Sequence, residues 1–278
     1  MDVIKVDVDL ITINVAVNAA KGRLVTNLKR EDFQVTDQGQ IVPLEFFDSE
    51  GPASIVFLVD TSLSMKGKKW QRLTAAMKKF LAIAHPGDDY TLISFSDHPS
   101  VILRSVNSET FSKAFENLKP GGLTALHDAL IEGFQALDRV PKRHKAIVLL
   151  SDGQDTASLA SLSDVEREAS RHRATIYSVG LILKQRNLSA WEQNGRNLLQ
   201  ELATTTGGSV HFPTTGEIHT VLEGISEDVR AHYCLSYYPP DKANGWRQIK
   251  ISLKENQRPF NLRYQQRYVR KEPGASTP

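Results

Sequence analysis

The most constraining feature of this sequence is a pair of short apolar runs that each end in polar chemistry. Ser54-Ile-Val-Phe-Leu-Val-Asp60 is continuous hydrocarbon closed by a carboxylate. Lys145 to Leu150 repeats the arrangement and ends in Ser151-Asp152-Gly153. Runs of this length with no polar alternation fit central parallel strands buried on both faces. Parallel neighbours need crossover connections, and helical spacing supplies them between the runs. Trp70, Leu73, Met77, Leu81 and Ala84 recur at helical intervals, and Pro86-Gly87 stops that helix. Tyr90–Phe95 and Val101–Val106 read as short strands, followed by helices at Phe111–Leu118 and Ala125–Leu137. Beyond Asp152, a capping box of Ser163 and Glu166 opens a helix. Thr175–Leu181 reads as a strand and Leu198–Ala203 as part of a helix ended by Gly207-Gly208. Ser209–Phe212 is a last strand, and Ile218, Val221, Leu222, Ile225 and Val229 form a helical stripe. The middle of the chain therefore predicts a doubly wound, mostly parallel sheet flanked by helices.

Both ends have β character instead. Ile4, Val6, Val8 and Leu10 alternate with polar residues, and Ile11, Ile13, Val15 and Val17 continue in the opposite phase. Such a phase slip marks either a bulge or a break between strands. Lys21-Gly22 and Asp37-Gln38-Gly39 are turn signals, with Phe33 and Val35 between them and the apolar run Ile41–Phe47 after them. After His232, strand candidates are Tyr233–Tyr238, Gln248–Leu253 and Phe260–Tyr268. The simplest arrangement inserts an α/β domain, residues 51–232, into a small β-sandwich made from residues 1–50 and 233–278.

Charge matters here through its distribution. Lys plus Arg number 34 and Asp plus Glu 32, a net +2. That balance argues against nucleic-acid and polybasic membrane-surface binding. Residues 1–50 hold 5 basic and 9 acidic side chains, whereas residues 232–278 hold 9 and 3. Opposite signs on the two ends either favour their mutual packing or reflect chance. A lone Cys234 excludes an internal disulfide framework and a thiolate metal cluster. The start MDVIKVDVDL lacks the basic and apolar regions of a signal peptide, and no stretch approaches the ~20 apolar residues of a membrane helix.

The chemistry collects at the carboxyl ends of the two buried runs, where ligands of open α/β sheets bind. Asp60-Thr61-Ser62-Leu63-Ser64 sets a carboxylate and two hydroxyls at alternate positions. Oxygen donors of this kind suit Mg²⁺, with Mn²⁺ or Ca²⁺ as alternatives, while a capped turn would explain the string equally well. Pro120-Gly121-Gly122-Leu123-Thr124 adds a hydroxyl on a flexible loop, and Asp152 adds a second carboxylate.

These three pieces, in this order and spacing, resemble the metal-ion-dependent adhesion site of von Willebrand factor type A domains. Leu202-Ala-Thr-Thr-Thr-Gly-Gly208 before an apolar strand resembles the later part of the same family. The flanks, from Lys21 to Gly39 and from Tyr233 to Ile251, are more loosely similar to the bacterial VWFA-related family first described in Acidobacteria. The resemblance implies metal ligation by Asp60, Ser62, Ser64, Thr124 and Asp152. It also implies a non-catalytic adhesion module whose metal completes its coordination with an acidic residue of a protein partner. Export is the location that it suggests, with cytoplasmic residence as the alternative. Many members have Gly where this chain has Leu63, which confines the loop there to φ < 0.

Around the site, Lys66, Lys68 and Lys69 either attract an acidic partner or form a solvated helix start. Residues 183–196 read as a polar loop on the metal side, carrying Arg186 and Trp191. Trp191 is there either a recognition anchor or a lid folded over the domain. Gln154–Ser161 borders the site, His127 reads as a helix-surface residue, and Asn187-Leu188-Ser189 matches a glycosylation sequon. The rival reading is a metal-dependent phosphoesterase or hydrolase using Asp60 and Asp152. Against it stand the absence of a Gly-x-Ser-x-Gly elbow, a His-Glu-x-x-His motif and a phosphate loop. Asp155 is the nearest candidate base. Oligomeric state is open.

Overall fold

The computed structural model describes residues 10–19, 22–140, 142, 144–182, 188–214, 216–254 and 260–270. Its centre is the apolar run that ends in Asp60. Strand β5 (Ala53–Asp60) is buried at every position. It pairs in parallel with β6 (Asp89–Phe95) on one side and β8 (His144–Ser151) on the other. Beyond β8 lie β9 (Ile176–Gly180) and the two-residue β10 (Val210–His211), both parallel. Beyond β6 lies β7 (Pro99–Val106), the one antiparallel member of the sheet.

Alternating β5 side chains feed two cores, since successive residues of a strand point to opposite faces. Ile55, Phe57 and Val59 pack with α1 (Lys68–Ala82), α2 (Ser108–Phe115) and α6 (Ile218–Arg230). Val56 and Leu58 pack with α3 (Leu126–Arg139), α4 (Leu162–His172) and α5 (Ala190–Thr205). The strand order β10-β9-β8-β5-β6-β7 reverses direction between β5 and β8. That reversal opens a crevice at the carboxyl ends of these two strands.

The chain ends form two four-stranded sheets. One contains β1 (Ile11–Asn18), β11 (Tyr233–Tyr237), β4 (Phe46–Ser49) and β13 (Asn261–Arg263). The other contains β2 (Phe33–Asp37), β3 (Gln40–Val42), β12 (Gly245–Leu253) and β14 (Arg267–Arg270). A third core lies between them, with Ile13 and Val15 of β1, Val35 of β2, Tyr233 and Leu235 of β11, and Ile249 of β12. One buried ion pair joins the two chain ends, Arg247 Nε donating to Asp37 Oδ1 at 2.9 Å. The other Asp37 oxygen accepts from Tyr237 at 3.0 Å and Tyr268 at 2.8 Å, so the buried carboxylate is fully partnered.

Several local expectations shift. The Ile41–Phe47 run is broken at Pro43–Glu45, and the chain crosses there from one sheet to the other. Phe260–Tyr268 divides in the same way between β13 and β14. The cap of α4 is Ser161, whose hydroxyl accepts from Asp164 N while Asp164 returns the bond, so the predicted Ser163–Glu166 box lies two residues too late. Both serines satisfy the same pattern, and only the chain direction entering the helix distinguishes them. Residues 183–196 are not a loop throughout. Ser189 and Glu192 form a capping box that starts α5 at Ala190, placing Trp191 in its first turn. Arg186 and Asn187, like the Ile4–Val8 alternation, fall outside the described residues.

The β module joins the α/β unit at the amino ends of the central strands. Gly207 (φ +80°) lets the chain pass against Tyr264, where an added Cβ would sit 2.5 Å from backbone atoms. Arg263 of β13 pairs with Asp228 of α6, and Asp228 accepts from Tyr177 of β9 at 2.7 Å. Tyr177 also meets His232 Nε2 at 2.8 Å. The joint is therefore a buried polar network at the end of the sheet opposite the crevice.

Candidate functional site

The crevice is built from three loops that hold one another by backbone bonds. After β5, Thr61 N–H donates to Phe95 O at 2.8 Å, and Thr61 O accepts from Gly121 N at 2.7 Å. Leu63 N–H donates to Gly122 O at 3.0 Å. Thr124 O in turn accepts from Thr156 N at 2.8 Å and Ala157 N at 3.0 Å. The segments carrying Asp60, Thr124 and Asp152 are thus locked together. Leu63 keeps a negative φ within a short 3-10 turn (Leu63–Met65), so leucine is accommodated there without backbone strain.

Asp60 is fully buried. Its Oδ1 accepts from Ser62 N at 2.9 Å, and its Oδ2 from Ser151 Oγ at 2.7 Å. Burial pushes this carboxyl up to about 6, against the hydrogen bonds from Ser62 and Ser151, and the neighbouring Asp152 charge adds to the rise. Ser62 Oγ and Ser64 Oγ lie 3.0 Å apart. Asp152 Oδ1 is buried and has no partner among the described residues, whereas Oδ2 pairs with Lys69 Nζ at 2.6 Å. Lys69 therefore points at the acidic cluster and not outward with Lys66 and Lys68, which are exposed. Its sequence position beside those two gives no sign of this, because the partner carboxylate comes from the loop after β8, 83 residues away.

The donor set is suited to a hard divalent cation: carboxylate, hydroxyl and no sulfur or imidazole. Two adjacent carboxylates, one carrying a buried oxygen without a hydrogen bond, fit a cation better than they fit one another. Among the described residues no group of three or more His, Cys, Asp or Glu side chains is gathered for a metal, so any cation here depends on the hydroxyls.

Asp155, the candidate base, has a different occupation. Its Oδ1 accepts from Leu126 N at 2.8 Å, His127 N at 3.2 Å and Ser158 Oγ at 2.5 Å. It caps the amino end of α3 across the loop, as an anionic side chain does favourably. His127, which the sequence reads as a helix-surface residue, is half-buried, and its Nδ1 lies 3.1 Å from Ala160 O, bracing the 155–160 loop. Trp191 is 56% exposed, and its carbonyl accepts from Gln154 Nε2 at 2.9 Å. It does not fold over the domain as a lid. The close approach of α5 depends on two glycines. A Cβ on Gly195 would stand 2.5 Å from Asp152 O, and one on Gly153 (φ +83°) 2.3 Å from Gly195 O. The Gly153–Gly195 contact, invisible in either local sequence, sets the position of Asp152.

Comparisons with known proteins agree with this architecture. Residues 55–154 match the von Willebrand factor type A domain profile. Human inter-alpha-trypsin inhibitor heavy chain H4 is 29% identical over 157 residues, which is 49% of this chain and 17% of that protein. The heavy chain H1 of Sus scrofa is 25% identical over 143 residues, 46% of this chain and 16% of that one. The match thus spans about a sixth of the length of these relatives. Among solved structures, a von Willebrand factor type A protein from Catenulispora acidiphila superimposes with a TM-score of 0.55 at 11% identity, over 95% of this chain and 75% of that one. Proximal thread matrix protein 1 from the mussel byssus gives 0.54 at 16% identity, over 70% and 51%. The matched residues include β5 from Ile55 onward, β6, β8 and the loops that carry Asp60, Thr124 and Asp152. Residues 55–154 of the α/β unit thus carry the match to the von Willebrand factor type A domain, a module of protein–protein interaction and adhesion.

Proposed function

We propose that the chain is a non-catalytic, divalent-cation-dependent protein-binding module. Asp60, Ser62, Ser64, Thr124 and Asp152 would hold Mg²⁺, or Mn²⁺ or Ca²⁺ in its place. The cation would supply an open coordination position for a carboxylate of the partner. The protein's own residues do the rest. Asp60 orients Ser62 through its backbone N–H, Ser151 holds Asp60, and the α5 approach presses Asp152 into place.

The observation that carries this reading is the buried, unpartnered Asp152 Oδ1 beside Asp60 at the strand-order reversal. An acidic oxygen left without a donor in such a place costs free energy that a bound cation would relieve. The enzyme alternative loses its base, because Asp155 is committed to capping α3. The flanking β segments extend the reading to a bacterial, exported protein, with the β module as a stalk that turns the cation face away from the joint.

A thermal titration with Mg²⁺ and Mn²⁺ tests the proposal. A cation present at 100 times its dissociation constant stabilises the native state by about 2.7 kcal/mol. Wild type should gain this stability and Ser62→Ala should gain much less. Equal melting temperatures with and without metal in both proteins would refute the cation. Phosphoester turnover abolished by Asp152→Ala would restore the enzyme reading.

A further inference from the structure

Ten large hydrophobic side chains are conspicuously exposed among the described residues. Six are spread over both sheets of the β module, the end of α1 and the edge strand β7. The other four come from the loops at one end of the central sheet. Leu63 follows β5, Leu123 precedes α3, Leu159 precedes α4 and Trp191 opens α5. Their exposures are 58%, 56%, 98% and 56%.

The backbone bonds already described make these four loops one surface. Leu63 N–H reaches Gly122 O, which places Leu63 beside the loop of Leu123. Thr124 O holds the 156–157 segment, and Leu159 N–H donates to Asp128 Oδ2 of α3 at 3.0 Å. Gln154 ties the same segment to Trp191. The loops that carry the four exposed side chains therefore border Ser62, Thr124 and Asp152, which are themselves recessed. Scattered surface leucines are ordinary, but an apolar collar around a buried polar cluster marks an interaction surface. Lys66 and Lys68, exposed on the Leu63 side, make the same face attractive to an acidic partner.

We propose that this collar selects a protein segment whose acidic residue is flanked by large apolar side chains. The carboxylate would enter the recess, and its neighbours would cover Leu63, Leu123, Leu159 and Trp191. Trp191 has the character of an anchor, being large and backed by a backbone hydrogen bond. The proposal rests on the cation-dependent reading above, and its test separates the two.

The probe is a random peptide library displayed on phage and selected on the full chain in Mg²⁺, with a chelator as control. Wild type should enrich peptides carrying Asp or Glu with a large apolar residue within two positions. Against the variant Leu63→Ser/Leu123→Ser/Leu159→Ser/Trp191→Ser, the best of these should lose about tenfold or more in affinity. The Mg²⁺-dependent rise in melting temperature should be unchanged in that variant. Should it fold poorly, the single change Leu159→Ser, at a fully exposed side chain, still reads a smaller loss. Unchanged affinity, enrichment of acids without apolar neighbours, or no enrichment at all would overturn the collar. So would Mg²⁺-independent sedimentation of the chain with phosphatidylserine vesicles in place of peptide binding. Apolar-flanked peptides that bind equally in chelator would instead retain the collar and remove the cation.

Discussion

The two ends of the central sheet solve opposite problems with similar residues. At the amino ends, polar groups pair across the joint between the α/β unit and the β module. Asp228 meets Arg263 and Tyr177, Asp88 meets Arg230 at 2.6 Å, and His232 is held by Tyr177. At the carboxyl ends, a comparable set of acids and hydroxyls is held by its own loops, with an oxygen of Asp152 left over and leucines facing solvent. Both ends have buried carboxylates, so burial alone does not distinguish a structural acid from a functional one. Each also leaves a carboxylate oxygen without a partner, Asp228 Oδ1 at the joint and Asp152 Oδ1 at the crevice. What distinguishes them is the company each acid keeps: an arginine, a tyrosine and the other chain end around Asp228, and a second carboxylate with hydroxyls under exposed loops around Asp152.

The β-module side of the molecule should be the more costly to break. Asp37→Ala in the sandwich leaves Arg247 with its guanidinium largely buried and strips two tyrosine hydroxyls of their acceptor. A loss of about 3–5 kcal/mol is expected in urea unfolding, with the Mg²⁺ response of the folded fraction unchanged. A loss below ~1 kcal/mol would show that the chain ends contribute little to one another.

The joint should also respond to acid. Burial lowers His232 from 6.5 to about 4, so the native state keeps it neutral while the unfolded chain takes up a proton. The unfolded state then binds more protons between about pH 6.5 and 4, and stability falls as pH drops through that window. The contribution is up to about 3 kcal/mol, present in full above pH 6.5. His232→Gln should flatten the stability curve between pH 7 and 4, and an unchanged slope would move the acid sensitivity elsewhere.

At the open end, Gly195→Ala is the sharper tool. Alanine favours a helix by about 1 kcal/mol over glycine, so it ought to stabilise α5. Here its Cβ meets Asp152 O, and a net loss of about 1–3 kcal/mol is expected together with a weakened Mg²⁺ response. Stabilisation with an intact metal response would show that the loop gives way cheaply.

The smallest effect concerns Lys69. Its ammonium occupies one oxygen of Asp152, so it competes with any cation for that carboxylate. Lys69→Met should tighten Mg²⁺ binding by about fivefold, equivalent to ~1 kcal/mol for a part-exposed pair. Isothermal titration in both proteins measures it. Weaker binding in the variant would make Lys69 a support of the site.

Much of the arrangement is legible along the chain because it depends on short-range periodicity. The unbroken run to Asp60 can be satisfied only with neighbours on both sides and helices on both faces, and the helical spacing of Trp70 to Ala84 supplies one of them. Four of the five expected ligands follow such runs, where a strand must leave the sheet, and the fifth, Thr124, lies on the loop before α3. Features that depend on a choice between similar local signals were less legible. Ser161 and Ser163 offer the same cap, and the box at Ser189–Glu192 is masked by its polar surroundings. The sheet change at Pro43–Glu45 has no local mark beyond the proline.

Residue spacing along the chain thus predicts the α/β pattern and the β character of both ends, while the candidate ligands come from the resemblance of three of its motifs to the von Willebrand factor type A domain. Which charges meet follows from the folded arrangement. Lys69 turns inward to Asp152, Asp155 is spent on α3, and the Gly153–Gly195 contact seats the loop of Asp152. It also brought together the loops that expose Leu63, Leu123, Leu159 and Trp191, residues far apart in the chain. The physical reason is common to all of these. Partners separated by tens of residues are selected by packing and electrostatics in space, which local periodicity does not encode.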